Sequence, residues 1–359
     1  MLYRKYRPQV FAQVVGQEHV IRTLKGGFSN NRVGHAFLFS GPRGTGKTSV
    51  ARILAKALNC PNRAKDGEPC NACDFCRAVN EGRSLDLIEI DGASNGRVDE
   101  IRTLKESATV SAPTGQYKVF IIDEVHMVTP AAFNALLKLL EEPPAHVVFV
   151  FATTDPHKIP PTVLSRVQRF DFHKLTPSQI SAKLKEVAKT EQVEIDDEAL
   201  AVLALASDGA LRDAEVSFSK VISSCPAGAQ ISAQDVQDIL GLIPLRYHPE
   251  FFGYLIAKDR PAALTFIQNI YHSGVSLEHF SKDFLEYLRK VLLMKVSPAM
   301  LAAAGQDSAD GQYLGQHAAA VDQERLIRMI IAFTNARAEL KFSPIPQLPL
   351  ELAVLELTQ

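Results

Sequence analysis

The chain has 359 residues, enough for two or three domains, and its 46% hydrophobic and 22% charged residues are the balance of a globular protein that buries real cores. No apolar run approaches the roughly 18 residues of a membrane span, and the first residues carry no apolar signal segment, so a cytoplasmic location is expected. A formal net charge of -1 gives no global basic signature, so any nucleic-acid contact must come from a local patch or from several assembled chains.

The opening, Tyr3 to Val15, mixes basic and aromatic residues around Pro8 and runs into Gly16-Gln17. Val20, Ile21 and Leu24 then share one face of a predicted helix from Gln17 to Phe28. Ala36 to Ser40 reads as a short strand. It leads directly into Gly41-Pro42-Arg43-Gly44-Thr45-Gly46-Lys47-Thr48, after which Ser49 to Leu58 has helical periodicity. A glycine-rich loop in that position turns its backbone N–H groups around a polyphosphate, with Lys47 reaching the β- and γ-phosphates and the Thr48 hydroxyl available to Mg²⁺. Ser49 is counted with the loop. The strand before and the helix after separate this reading from a glycine turn that matches by chance.

Four of the five cysteines, Cys60, Cys70, Cys73 and Cys76, then interrupt the α/β pattern, while Cys225 stands alone. Such crowding does not suit a secreted disulfide framework. Three thiolates at two-residue separations with one upstream can surround a single ion tetrahedrally, which points to structural zinc. Free buried thiols, a thioredoxin-like pair and an iron–sulfur cluster are the competing readings, and no redox partner motif accompanies them. With all four ligands spent on coordination, the module is expected to do no chemistry.

Leu85 to Asp91 alternates like a strand ended by residues 92–95. Tyr117 to Ile122 is nearly continuous apolar sequence, as in a strand covered on both faces, and it runs into Asp123-Glu124-Val125-His126. A carboxylate at the carboxyl end of a buried parallel strand lies beside the phosphate loop. There Asp123 can hold Mg²⁺ through water, and Glu124 can orient and deprotonate the attacking water. His126 is assigned no role. Thr129 caps a predicted helix from Pro130, with Phe133, Leu136, Leu137 and Leu140 on its apolar face and Pro143-Pro144 as its stop. Val147 to Ala152 is another buried strand, delivering Thr153-Thr154-Asp155 to the same edge as Asp123. A hydroxyl at that point can bond the γ-phosphate or the attacking water. Pro160 to Val167 forms an exposed loop ending near Arg166, either a surface arginine or a finger into a neighbouring subunit's site, and Gln168 to Phe172 is the last strand.

Thr176-Pro177-Ser178-Gln179 is a capping-box pattern with proline at the first helical position and opens an all-helical region. Ile180, Leu184 and Val187 line its first helix, Leu200, Leu203 and Leu205 lie in the next, and Gly209-Ala210-Leu211-Arg212-Asp213 opens a third with Arg212 off the apolar stripe. The chain is helical again from Pro244, through Phe251, Phe252 and Leu255 to Phe284, Leu288 and Leu292. Residues 297–320, rich in alanine, glycine and polar residues, are expected to form a loose connection.

The phosphate loop, Asp123-Glu124, Thr154, Ser165-Arg166 and Gly209-Ala210-Leu211-Arg212-Asp213 together resemble an AAA+ ATPase. Tyr6-Arg7-Pro8, Val15-Gly16-Gln17-Glu18-His19, the four-cysteine insertion, Ile122-Asp123-Glu124-Val125-His126-Met127 and Leu140-Glu141-Glu142-Pro143-Pro144 resemble more closely the tau/gamma clamp-loader family of bacterial DNA polymerase III. The resemblance covers essentially the whole chain and implies an α/β fold. Residues 1–175 would be an AAA+ P-loop NTPase core with a parallel sheet and a zinc module at 60–76, residues 176–242 a helical lid, and residues 243–359 a helical collar and oligomerisation domain. Lys47 and Thr48 would be the Walker A pair, Asp123 and Glu124 the Walker B metal and base residues, Thr154 sensor 1 and Arg212 sensor 2. Arg166 looks like the trans-acting arginine finger, although the family's Ser-Arg-Cys reads Ser165-Arg166-Val167 here. Tyr6, Arg7, Pro8 and Val15 resemble the segment that packs around adenine.

The implied cofactors are ATP, Mg²⁺ and Zn²⁺. The implied partners are delta and delta-prime clamp-loader subunits, further copies of the chain, the beta sliding clamp and primed DNA, with no membrane. ATP binding would promote opening and loading of the clamp, and hydrolysis would release it. A non-hydrolysing structural clamp-loader subunit, which usually lacks a working phosphate loop, and a DExH-type helicase are the alternatives. Full-length tau resembles this chain plus a long extension, so a natural short form or a truncated chain is expected.

Overall fold

The computed structural model describes the chain except residues 31, 95–97, 227, 243, 245, 298–310 and 359. The described residues divide into two compact units, Met1–Val236 and Gln237–Gln359. In the first unit, strands β1 (Ala36–Ser40), β2 (Leu87–Asp91), β3 (Lys118–Asp123), β4 (Val147–Thr153) and β5 (Gln168–Asp171) form one sheet in the order β2-β3-β4-β1-β5. Every pairing in it is parallel.

The helices lying wholly within this unit are, in chain order, α1 (Leu2–Lys5), α2 (Glu18–Ser29), α3 (Lys47–Asn59), α4 (Asp74–Asn80), α5 (Val98–Thr109), α6 (Pro130–Glu141), α7 (Pro161–Leu164), α8 (Pro177–Glu191), α9 (Asp197–Ala206) and α10 (Leu211–Ser224), and a further helix, Ala233–Leu240, follows them. Alternation along the central strands sends side chains to two separate cores. Phe37, Phe39, Val119, Ile121, Val148 and Val150 pack against Val20 and Leu24 of α2 and Val50, Ile53 and Leu54 of α3. Leu38, Phe120, Ile122, Phe149 and Phe151 pack on the other face against Ile101 and Leu104 of α5 and Phe133, Leu136 and Leu140 of α6. Because β1, β3 and β4 are covered on both faces, their sequences read as unbroken apolar runs.

Parallel pairing collects the carboxyl ends of these strands at one edge. Ser40 is registered with Thr153, and the next residue, Gly41, donates its N–H to the Thr153 carbonyl at 3.1 Å. β3 starts and ends one residue later than its apolar run suggests, so Asp123 is its last residue and still pairs with Asp91. β2 begins at Leu87 rather than Leu85, whose side chain is exposed. α3 begins at Lys47 rather than Ser49, and α2 at Glu18 rather than Gln17. Sequence reading had no helix at α4 or α5. Among the described residues the buried stripe of α5 is Ile101, Leu104 and Ala108, and α4 is set by the folding of the cysteine module around it. Asn95, read as part of the end of β2, lies outside the described residues.

The capping box at α8 forms as expected: the Gln179 N–H donates to Thr176 Oγ1 at 3.3 Å, and the Thr176 N–H donates to Gln179 Oε1 at 3.0 Å. The second unit is helical, with helices at Tyr247–Ala257, Arg260–His272, Leu277–Val296, Gly311–Ala320, Gln323–Leu340 and Leu348–Leu357. Its core is a cluster of rings in which Phe284 lies 4.9 Å edge-on from both Phe251 and Phe333. The expected loose connection over 297–320 needs correction. Gly311–Ala320 is a helix, because Leu314 and Ala318 sit one turn apart, ahead of Val321, and all three bury themselves in this core. Residues 298–310 of that stretch are outside the described set. Among the described residues no helix is long and apolar enough to cross a membrane.

Replacing Thr176 by alanine removes one half of the capping box while leaving the apolar face of α8 intact. The expected cost is about 1 kcal/mol, a fall of a few degrees in the melting temperature of the first unit, measured by calorimetry. No shift would mean that α8 is held by packing alone.

Candidate functional site

The edge carrying the strand ends opens into a cleft with three walls. One is the loop from Arg43 to Ser49 together with Asp123 and Glu124, the second is Tyr3, Arg7, Pro8, Val14 and Val15, and the third is Leu175, Leu211, Arg212 and Glu215. All three belong to the first unit.

The loop's glycines are there for clearance. Gly41 has φ +146°, and a Cβ on it would sit 2.3 Å from the Phe172 carbonyl oxygen. Gly44 has φ +78°, and a Cβ on it would lie 2.8 Å from the Ala210 Cβ, so only a bare backbone lets the loop come this close to the start of α10. Gly46, at φ +102°, is the N-cap of α3 and aims the positive end of that helix into the cleft. Buried Lys47 donates to the carbonyls of Gly41 at 2.7 Å and Pro42 at 2.8 Å. Burial pushes its ammonium pKa down, and the nearby charges of Glu124 and Asp123 push it back up.

The Thr48 hydroxyl donates to Asp123 Oδ2 at 2.7 Å, joining the first turn of α3 to the last residue of β3. Asp123 Oδ1 accepts the Glu124 N–H at 3.0 Å. Glu124 itself has φ +44° and ψ +45°, a left-handed conformation that costs a non-glycine residue on the order of 1 kcal/mol or more and is concentrated at functional sites. Its carboxylate is held from two sides. Thr154 Oγ1 donates to Oε2 at 3.2 Å, and His126 Nδ1 lies 3.4 Å from the same oxygen and 3.1 Å from Thr153 Oγ1. His126, given no role from sequence, is therefore part of the constellation. Gln17 is wholly buried and explains the Gly16-Gln17 signature. Its amide donates to the His173 carbonyl at 2.8 Å and accepts the His173 N–H at 3.1 Å, fixing the chain between β5 and α8 beside the loop.

On the lid side, the Arg212 guanidinium stands 4.9 Å from the centroid of the Tyr3 ring. Tyr3 rather than Tyr6 lines the cleft; the Tyr6 hydroxyl instead donates to Glu191 of α8 at 2.6 Å. Burial holds the Arg7 guanidinium below its ordinary pKa. Arg166 is not among the lining residues of the cleft: a third of its side chain is exposed, and it bonds Glu141 and the Thr162 carbonyl, both at 2.7 Å. Glu215, on the buried face of α10, is only 5% exposed. Among the described residues none donates a hydrogen bond to its carboxyl. Burial pushes its pKa up to about 7, against the pull of Lys183 and Arg7. Sequence reading missed Tyr3, His126 and Glu215. Glu215 left a signal, an acidic residue one turn from Leu211 on the same stripe as Phe218.

The four predicted cysteines come together. Their sulfurs lie within 4.8 Å of one another, against about 3.8 Å in a zinc tetrathiolate, and all are free thiols. Backbone N–H groups of Cys70, Cys73 and Cys76 donate to the sulfurs of Cys60, Cys70 and Cys73 at 3.3, 3.4 and 3.5 Å. With no carboxylate or imidazole in the set, the chemistry fits a thiolate-binding ion such as zinc. Lys56 of α3, almost completely buried, donates to Asn71 at 2.9 Å, Asn80 at 2.7 Å and Gln9 at 3.0 Å, tying this module to α3 and to the N-terminal segment.

Comparison with known proteins agrees along the chain. Residues 16–176 match a family described as DNA polymerase III, delta subunit; residues 179–216 match the DNA polymerase III clamp loader subunit ATPase lid domain; residues 231–359 match DNA polymerase III subunits gamma and tau domain III. DNA polymerase III subunit tau of Bacillus subtilis is 39% identical over 100% of this chain and 63% of its own length. DNA polymerase III subunit gamma of Buchnera aphidicola is 35% identical over 99% of this chain and 97% of its own length. Among solved structures, the Thermotoga maritima RuvB Holliday junction branch migration motor shares the fold, with a TM-score of 0.50 and 18% identity over 70% of this chain and 79% of that one. This chain spans about half to two thirds of the length of several tau relatives, 63% and 54% in two of them.

Glu215 generates a pH-dependent prediction. Its raised folded-state pKa means that its contribution to stability is fully present below the ordinary carboxylate range and is lost as pH rises towards about 7. Glu215→Gln should therefore match the parent chain at pH 4 to within a few tenths of a kcal/mol and exceed it by roughly 1–3 kcal/mol at pH 8 in denaturant titrations. Equal stability of the two proteins at both pH values would contradict the buried placement of this carboxyl.

Proposed function

Because the chain belongs to the family of DNA polymerase III gamma and tau subunits, we propose that it is an ATP-driven motor subunit of a bacterial clamp loader. ATP binding promotes opening of the beta sliding clamp and its loading onto primed DNA, and hydrolysis releases both. The observation that carries this reading is the convergence on one cleft of Lys47, the Thr48–Asp123 pair, Glu124 held by Thr154, and Arg212 from the lid helix.

The loop from Gly41 to Ser49 and the N-terminus of α3 cradle the phosphates, with Lys47 moving from its carbonyl partners to the β- and γ-phosphates. Thr48 and Asp123 would hold Mg²⁺, which supplies positive charge to the phosphates when bound. Glu124 orients the attacking water and takes its proton, while Thr154 and His126 hold the carboxylate in line. Arg7, Pro8 and Val15 pack around the base, and Tyr3 takes the part that sequence gave to Tyr6. Arg212 couples the γ-phosphate to lid closure, and Arg166, outside its own cleft, serves a neighbouring subunit's site as an arginine finger.

In this reading residues 1–175, 176–242 and 243–359 act as core, lid and collar, and Cys60, Cys70, Cys73 and Cys76 carry a structural zinc. The partners are delta and delta-prime subunits and further copies of the chain, in the cytoplasm. The complete phosphate loop weighs against a non-hydrolysing structural subunit.

In the complex assembled with delta-type subunits, clamp and primed DNA, Lys47→Ala should abolish ATP turnover. Glu124→Gln should retain ATP binding while turnover falls about 100-fold or more. Arg166→Ala should cost turnover in the complex without weakening ATP binding to the isolated chain. Normal turnover by assembled Glu124→Gln would remove the base from the mechanism. Elemental analysis should find one zinc per chain, and chelation should lower the melting temperature; a metal-free chain that melts at the same temperature would refute the zinc assignment.

A further inference from the structure

We propose that Glu215 selects the base of the bound nucleotide, pairing with the amino-bearing edge of adenine. The inference rests on reading the cleft as an ATP site and specifies what the lid recognises there.

The carboxyl lies one turn beyond Leu211, which with Arg212 brings the start of α10 into the cleft. A polar group 5% exposed and without a hydrogen-bond donor among the described residues is costly to bury, and leucine at the same place would carry no such cost. A ligand that donates to it removes the penalty. The ligand's triphosphate is not that group, since two anions would face each other in a low-dielectric cleft. Glu215 lines the cleft together with Arg7 and Pro8 of the N-terminal wall, and Arg7 is one of the two positive charges acting on it. Pro8, Val14 and Val15 supply apolar surface on that side of the cleft, suited to the face of a base.

The chemistry selects among bases. A carboxyl offers an acceptor oxygen and, when protonated, a donor beside it. Adenine presents the complement, the 6-amino donor next to the N7 acceptor, whereas guanine presents two acceptors, O6 and N7, on that edge. The carboxyl's pKa near neutrality keeps the protonated form populated, so that both bonds are available. Glutamine, with a carbonyl and an amino group in nearly the same positions, can make the same pair. Leucine can make neither bond.

The test is equilibrium binding of ATP, and of purine riboside triphosphate, which lacks only the 6-amino group, to the whole chain. The wild type should prefer ATP by about 10-fold, the worth of one buried hydrogen bond to a carboxyl. Glu215→Leu should bring that ratio below about threefold, and Glu215→Gln should keep most of it. A general packing defect would weaken both nucleotides together and leave the ratio unchanged. A wild type that binds ATP but does not discriminate, or a Glu215→Leu chain that discriminates fully, overturns the role of Glu215 and leaves the ATP site standing. A wild type that binds neither triphosphate overturns both. If Glu215→Leu does not fold, the wild-type ratio and its retention in Glu215→Gln decide the matter.

Discussion

The 2.7 Å hydrogen bond from Thr48 to Asp123 is the contact on which the rest of the cleft depends. It ties the first turn of α3 to the end of β3, so the positive end of a helix and the carboxylate of a buried strand face one space. That meeting requires the parallel order in which β1 and β3 flank β4, and it requires a loop whose glycines pass a carbonyl oxygen and an alanine methyl without a Cβ. Asp123 in turn accepts the N–H of Glu124, which enters the next turn in a left-handed conformation. The strained residue is the one whose carboxylate must point into the cleft, and β4 delivers Thr154 to hold it there.

The other two walls are attached less directly. The lid meets the core through the close approach of Gly44 to Ala210 and through the backbone bond from the Leu175 N–H to the Gly209 carbonyl at 3.1 Å. The N-terminal segment bridges both: Lys5 and Tyr6 reach Glu191 of α8, Tyr3 lies under Arg212, and Gln9 accepts from Lys56 deep in α3. Lys56 also holds two asparagines of the cysteine module. One buried ammonium therefore joins the loop helix, the N-terminal segment and the cysteine cluster, with its pKa lowered to about 8 by burial against the opposing charges of the four thiols.

Much of this is legible in the amino-acid sequence, because the features concerned are local in the chain. β1 and β4 are continuous apolar runs, the phosphate loop sits between strand and helix, and Thr176 and Gln179 are three residues apart. The cysteines gather because their spacing permits little else. Tyr3 and His126 were not legible, since each acquires its meaning from a partner far along the chain, Arg212 for Tyr3 and Thr153 for His126, and Glu215 showed only as an acidic residue on an apolar stripe whose use depends on the whole cleft. That Tyr3 rather than Tyr6 lines the cleft has the same origin. Tyr3 lies within α1 and lines the cleft, whereas Tyr6 follows the helix as its C-cap and its hydroxyl turns to Glu191 of α8. Residues 311–320 misled because alanine and glycine dominate the composition, while the three positions that matter, Leu314, Ala318 and Val321, are spaced for burial.

The central claim is that one nucleotide is gripped at once by the phosphate loop and by the lid helix. Hydrogen exchange of the chain with and without ATP and Mg²⁺ measures this directly. The account predicts that amides of residues 43–49 and of residues 211–216 become protected together, over the same range of ATP concentration. Protection confined to the loop, with the start of α10 exchanging unchanged at saturating ATP, would contradict it.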